Sequence, residues 1–141
     1  MVSYDRPGPC HVCPGSGERA LNKCRLSMVV PCCNEEQVVD DCHATLTRVL
    51  SESVPNYQIV YVNNRSTDRT YQLLAETYRT DRRVKVIDLA RNLGHQIAVS
   101  AGLEHADGDA VAMMDADLQD PPEVLVQMFH LWEPIFFEIS P

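Results

Sequence analysis

Short apolar runs alternate with amphipathic stretches along most of the chain, and polar residues follow each apolar run. Leu26 to Val30 is mostly apolar and β-branched and ends at Pro31, as a buried parallel strand does. Tyr57 to Val62, Arg83 to Leu89 and Ala110 to Met114 repeat this pattern. We therefore expect four strands.

Helical spacing of apolar residues separates these runs. Asn34 is a candidate N-cap for a helix that continues to about Ser53, and Ser66 or Thr67 is a candidate N-cap for the next helix. Residues 97 to 105 carry apolar positions at the same spacing. This alternation predicts an α/β fold, a Rossmann-like parallel sheet with helices on both faces. Ligands of such sheets bind beyond the carboxyl ends of the strands.

Composition and charge narrow the class of protein. A chain of 141 residues with 45% hydrophobic content suits one globular domain. Twenty acidic and twelve basic residues give a net charge of -8, which argues against nucleic acid as a partner. Residues 1–24 are rich in Pro, Gly and charge and are predicted to be a flexible leader. No apolar run approaches the roughly 20 residues of a membrane span, and no secretory signal is evident, so we expect a cytoplasmic protein.

Six cysteines lie in the first third of the chain. Cys10 and Cys13 have the spacing of half a zinc knuckle, and His11 or Cys24 would add a ligand. No second paired cluster follows, however, and disulfides rarely persist in the cytosol. We therefore prefer a reduced protein with incidental thiols.

The fourth predicted strand leads directly into an acidic loop. Asp115 and Asp117 are two residues apart at the strand end, so their carboxylates point the same way and repel each other unless a cation lies between them. No basic residue occurs between Asp107 and Glu123. Oxygen ligands of this kind suit Mg²⁺ or Mn²⁺, which would bridge the protein and a diphosphate. The alternative is a simple turn, because Asp-x-Asp is common in loops and Asp before Pro often starts one.

Four segments that follow the predicted strands resemble the motifs of family two glycosyltransferases, and they occur in the family's order. The resemblance covers residues 26 to about 132, and the most similar subgroup is the polyprenyl-phosphate sugar transferases, which includes bactoprenol glucosyltransferases and dolichyl-phosphate mannose synthases. The segments are VPCCNEE (30–36), VNNRSTDRT (62–70), RNLGH (91–95) and DADLQDPPE (115–123).

The resemblance implies a fold and an activity. Residues 25–132 would be the N-terminal, nucleotide-binding half of a GT-A fold. The donor would be a nucleotide-diphosphate sugar, and the acceptor would be a polyprenyl phosphate, with inversion at the sugar. A metal at the diphosphate would stabilise the charge that develops on the leaving group.

The resemblance also implies site residues. Those bordering the base, ribose and nucleoside would be Pro31, Glu35, Asn63 and Asn64, while Asp115 and Ala116 would line the nucleotide cleft. Asp117 and Gln119, together with Asp115, would hold the Mg²⁺ or Mn²⁺.

Two residues of the third segment, Arg91 and His95, have side chains that could approach the nucleotide. Arg91 is either a cation that meets the nucleotide or a surface arginine. His95 is interpreted as a residue of a helix N-terminus and is left outside the site.

The chain departs from the family pattern at several positions. Asn63 and Asn64 stand where the family usually has at least one Asp, Arg65 stands in place of Gly, and Cys33 stands in place of an aromatic residue. An amide lacks the charge of a carboxylate, and Arg does not easily take a left-handed conformation. We therefore expect weakened donor binding.

Residues 133–141 do not resemble the family's continuation and are interpreted as a separate, apolar tail, for which we expect either poor solubility or a partner. We expect the acceptor-binding half, which would act at the cytoplasmic face of a membrane, to be missing from this chain. Two alternatives therefore remain: a catalytically inactive nucleotide-binding fragment or regulatory module, and a doubly wound domain of unrelated function.

Overall fold

The computed structural model describes residues 24–139, with side chains through Trp132. The predicted leader, apart from Cys24, lies outside the described residues, as do Cys10 and Cys13. The strands are β1 (Leu26–Cys32), β2 (Tyr57–Asn63), β3 (Val84–Asp88) and β4 (Ala110–Met113), and the helices are α1 (Val39–Ser53), α2 (Thr70–Thr80), α3 (His95–His105) and α4 (Pro122–Ile139).

The four strands form one parallel sheet in the order β3-β2-β1-β4. Val29 of β1 pairs with Val60 on one side and Met113 on the other, so β1 lies between β2 and β4. Every residue of β1 and β2 is buried, as expected for central parallel strands. The predicted α/β class is confirmed.

Alternate residues of the central strands face two apolar layers. Tyr61 and its neighbours on one face pack in a cluster with Leu46 of α1, Leu74 of α2 and Phe129 of α4. Val60 and the residues on its face pack with Ala98 of α3. Helices therefore cover both faces, and α3 covers its face alone among the described helices.

Helix α3 lies very close to the sheet because of Gly102. A Cβ at this position would overlap the side chain of Val29 and would lie 3.0 Å from Val62 Cγ2. Only the absence of a side chain permits this approach. The start of α3 is thereby held close to the carboxyl edge of the sheet.

The predicted starts of α1 and α2 are wrong, because their candidate caps join loops to each other, whereas α3 begins at His95, as its interpretation as a helix N-terminal residue expects. Asn34 has a φ of 58° and accepts hydrogen bonds from the amide and the hydroxyl of Thr67 at 2.8 and 3.2 Å. The hydroxyl of Ser66 accepts a hydrogen bond from the backbone N–H of Asn34 at 3.0 Å. Helix α1 begins at Val39 and α2 at Thr70, each several residues later than predicted.

Three non-glycine residues in the loops after strands adopt left-handed backbone conformations. Arg65 has a φ of 55° in the loop after β2, contrary to the expectation that Arg avoids this region. Asn34 follows β1 and Leu118 follows β4, with φ values of 58° and 57°. Such strain concentrates where surrounding contacts fix a functional loop.

The substitution Arg65→Gly should stabilise the fold. Glycine has no Cβ penalty at positive φ, and the gain exceeds the entropy that glycine adds to the unfolded chain, so we expect about 0.5–1 kcal/mol. Urea denaturation of both proteins measures the difference. Arg69→Gly, at a φ of -81°, is the matched control and should gain nothing. Equal or lower stability of Arg65→Gly would contradict the assignment of strain.

Helix α4 continues past residue 132 to Ile139, so much of the predicted tail is helical. None of the helices within residues 24–139 combines the length and apolar character needed to cross a membrane.

Candidate nucleotide-binding site

A cleft of about 280 Å³ opens at the carboxyl edge of the sheet, between the ends of β1 and β4 and beside the start of α3. This is where parallel α/β sheets bind ligands. The lining residues are Pro31, Cys32, Cys33, Glu35, Asn64, His95, Ala98, Asp115, Ala116 and Asp117.

The cleft brings together most of the residues predicted from the sequence. Its lining includes Pro31, Glu35, Asn64, Asp115, Ala116 and Asp117, and does not include Asn63, Arg91 or Gln119. Sequence reasoning left out His95, although His95 belongs to one of the four matching segments. It also assigned no role to Ala98, which has no chemical signal and enters the lining through the position of α3.

The side chains of Asn63, the last residue of β2, and Asn64, which follows it, point to opposite faces of the sheet, because successive side chains of an extended chain alternate. Asn64 reaches the cleft, whereas Asn63 lines a second opening, beside the start of α2. There the Asn63 amide donates a hydrogen bond to Asp88 Oδ1 at 2.7 Å, and its oxygen accepts one from the Ser66 amide at 3.3 Å. An Asp at position 63 would place two carboxylates in contact. The neighbouring carboxylate of Asp88 therefore explains why an Asn suits position 63.

The acidic residues of the cleft influence each other across loops. Burial raises the pKa of Glu35, and the carboxylates of Asp117, Asp68 and Asp115 raise it further. Among the described residues, the cleft lining contains no Lys or Arg. The cleft is therefore a site of uncompensated negative charge.

His95 is the nearest basic group to this charge. Its Nε2 lies 3.9 Å from Asp115 Oδ1, and the two side chains are 58% and 62% exposed. An exposed pair of this kind contributes little energy and leaves the carboxylate open to a ligand.

The loop after β4 presents both aspartates outward. Ala116 is buried between Asp115 and Asp117, and both carboxylates lie on the exposed side. Asp117 Oδ1 accepts a hydrogen bond from the Gln119 amide at 3.2 Å, which fixes the turn through Leu118. No group of three or more His, Cys, Asp or Glu residues in the described part of the chain is arranged to hold a metal. A cation here would need oxygens from a ligand as well.

Cys32, Cys33 and Cys42 are free thiols. Cys32 and Cys42 are buried, and burial raises the pKa of both thiols, that of Cys42 to about 12. Both thiols are therefore protonated and inert near neutral pH. Cys33 is partly exposed in the cleft and accepts a weak hydrogen bond from the Asn92 amide at 3.6 Å.

A parallel sheet with helices on both faces and a cleft beyond the carboxyl ends of its strands is the arrangement of a ligand-binding α/β domain. The sequence profile of Glycosyl transferase family 2 matches residues 27–135, and the chain belongs to this family.

Curated relatives of the chain are also glycosyltransferases. The chain is 45% identical over 109 residues to the uncharacterized glycosyltransferase YkcC of Bacillus subtilis, a match that covers 77% of this chain and 34% of the relative. It is 35% identical over 109 residues to the bactoprenol glucosyl transferase of Shigella phage SfV, which covers 77% of this chain and 36% of the relative. The chain thus spans about a third of the length of these relatives.

Two solved structures share the fold. The structure of S. aureus TarS 1-349 in complex with UDP matches 66% of this chain and 27% of that chain, with 29% identity and a TM-score of 0.54. The mannosyltransferase PcManGT of Pyrobaculum calidifontis, in complex with GDP-Man and Mn²⁺, matches 84% of this chain and 34% of that chain, with 22% identity and a TM-score of 0.62. The GT-A fold expected from the sequence is confirmed.

The substitution Asp117→Asn should lower the pKa of Glu35, because it removes the largest charge contribution. The pKa should stay above its ordinary value, since burial is the larger cause. NMR titration of the Glu35 side-chain carboxyl measures the shift. Asp120→Asn removes a carboxylate of the same loop that is not a cause of the shift, and should leave the titration unchanged. An unchanged Glu35 pKa in Asp117→Asn would show that the two loops do not meet.

Proposed function

We propose that the cleft binds the nucleotide diphosphate of a sugar donor together with Mg²⁺ or Mn²⁺. The observation that carries this proposal is the convergence of Glu35, Asp115 and Asp117 with no Lys or Arg in the lining. A diphosphate alone would be repelled by these carboxylates, whereas a divalent cation attracts both. Asp115 and Asp117 are the residues that would hold the cation.

The donor set fits the metal. Carboxylate oxygens are the ligands that Mg²⁺ and Mn²⁺ prefer, and an incomplete protein set leaves positions for phosphate oxygens. When bound, the cation supplies Lewis-acid stabilisation of the leaving diphosphate. Its presence in the GDP-Man complex of PcManGT supports the choice.

The chain's own residues bind and orient the donor. Pro31 and Ala116 supply apolar walls of the cleft, while Glu35 and Asn64 supply polar groups for the nucleoside. His95 lies where it would meet the phosphates beside Asp115. Contacts from Asn63, Arg91 and Gln119 stay predictions of the family resemblance.

We assign the whole protein the transfer of a sugar to a polyprenyl phosphate with inversion, at the cytoplasmic face of a membrane. The similarity to bactoprenol glucosyl transferases supports this acceptor class. A lipid phosphate is already ionised, so the reaction needs no strong protein base. The second candidate is nucleotide binding without turnover, the alternative that the sequence leaves open.

Isothermal titration with UDP and GDP, each with and without Mn²⁺, tests the proposal. We expect binding that requires Mn²⁺, and we expect Asp117→Ala to weaken it at least about tenfold, because the cation loses a charged ligand. Asp120→Ala, in the same loop but outside the cleft lining, should bind like the unmodified protein. Equal affinity of Asp117→Ala and the unmodified chain would refute the proposed metal site. Turnover of a nucleotide sugar with polyprenyl phosphate by the full-length protein separates the two candidates.

A further inference from the structure

Two asparagine side chains meet at the rim of the cleft and hold the loop that leads into α3. Asn64, directly after β2, is 5% exposed, and Asn92 lies in the loop between β3 and α3. Asn64 Nδ2 donates a hydrogen bond to Asn92 Oδ1 at 3.1 Å. The two residues are 28 positions apart, so the contact joins separate segments of the chain.

Two backbone donors fix the orientation of both amides. The Leu93 amide donates to Asn64 Oδ1 at 3.0 Å, and the Gly94 amide donates to Asn92 Oδ1 at 3.0 Å. Asn64 Oδ1 must therefore face the N–H of Leu93, and Asn92 Oδ1 must face the N–H of Gly94. With either side chain turned over, its NH₂ group would face an N–H group, and neither could accept a hydrogen bond. The remaining contact between the side chains must run from Asn64 Nδ2 to Asn92 Oδ1.

The held residues lead directly into the wall of the cleft. Gly94 is the N-cap of α3, has a φ of 91° and has no side chain with which to cap the helix. His95 and Ala98 follow in the first turn and both line the cleft. The entry of the chain into α3 thus depends on hydrogen bonds from outside the helix.

We propose that Asn64 and Asn92 form an amide clasp that positions the first turn of α3, and with it His95, for binding of the donor. Asn92 acts as a positioning residue, while Asn64 also lines the cleft, and their role in donor binding rests on the proposed function. The amide at position 64 is then a requirement of the clasp. A carboxylate there would face Asn92 Oδ1 with no proton to share.

Amide hydrogen exchange of the chain without nucleotide tests the clasp directly. In Asn64→Ala, exchange at Leu93 should rise about fivefold or more, the equivalent of one lost hydrogen bond. In Asn92→Ala the same rise is expected at Gly94. Because the two side chains are hydrogen-bonded to each other, Asn64→Ala should also accelerate exchange at Gly94, and Asn92→Ala should also accelerate exchange at Leu93. Acceleration confined to each residue's own amide, or absent from both, would overturn the clasp.

A matched pair of isosteric variants separates a clasp from general loss of structure. Asn92→Asp keeps the oxygen that accepts from Asn64 and Gly94, so it should restore the slow exchange that Asn92→Ala loses. Asn64→Asp keeps the oxygen that accepts from the Leu93 N–H but removes the NH₂ group that donates to Asn92 Oδ1. Amide exchange at Gly94 should therefore rise. Gln127→Ala, which removes an exposed amide on α4, should change neither site. Equal behaviour of the two Asp variants would overturn the assigned hydrogen-bond direction.

Titration with UDP and GDP in the presence of Mn²⁺ tests the link to the donor. Asn92 is not among the cleft-lining residues, yet Asn92→Ala should weaken binding about fivefold, by the loss of one positioning hydrogen bond. The double variant Asn64→Ala/Asn92→Ala should lose no more than Asn64→Ala alone, since both act through one link. Additive losses, or unchanged affinity in Asn92→Ala, would overturn the positioning role. If the unmodified chain binds neither nucleotide, the proposed function fails and the donor role fails with it, while the exchange measurements still decide the clasp.

Discussion

The parallel pairing of β1 with both β2 and β4 is the constraint on which the site depends. This pairing brings the carboxyl ends of three strands to one edge, and with them Glu35, Asn64 and Asp115. Backbone hydrogen bonds continue the pairing beyond the strands, from the Met114 amide to Val29 and from the Asn64 amide to Cys32. The loops of the cleft are therefore extensions of the sheet, and their spacing follows from its register.

Close packing of α3 supplies the other wall. Since Gly102 allows the helix to lie directly on Val29, the first turn of α3 stays near Asp115. The cleft that results is small, negative and held by loops under backbone strain. These properties agree with the proposal that a cation and a ligand bind together in a fixed site.

Patterns within the sequence predicted the strands almost to the residue, because buried parallel strands are continuous apolar runs. The starts of α1 and α2 were not predictable in this way. Asn34 and Thr67 have the side chains of local caps, but they bond to each other across 33 positions. The position of Asn63 was predictable, since period-two alternation separates it from Asn64, but the family resemblance grouped the two. The role of Ala98 depended on tertiary packing and carried no local signal.

The two asparagines also change how departures from the family pattern are to be understood. From sequence alone, the two amides stand where the family usually has at least one Asp, and they predict weaker donor binding. In the structure, each amide has a partner that a carboxylate would repel: Asp88 for Asn63, and the oxygen of Asn92 for Asn64. Restoring Asp at either position would introduce repulsion between partly buried oxygens unless its partner changed as well. Each departure from the family pattern therefore involves a pair of residues, Asn63 with Asp88 and Asn64 with Asn92. Its effect on donor affinity depends on both residues of the pair.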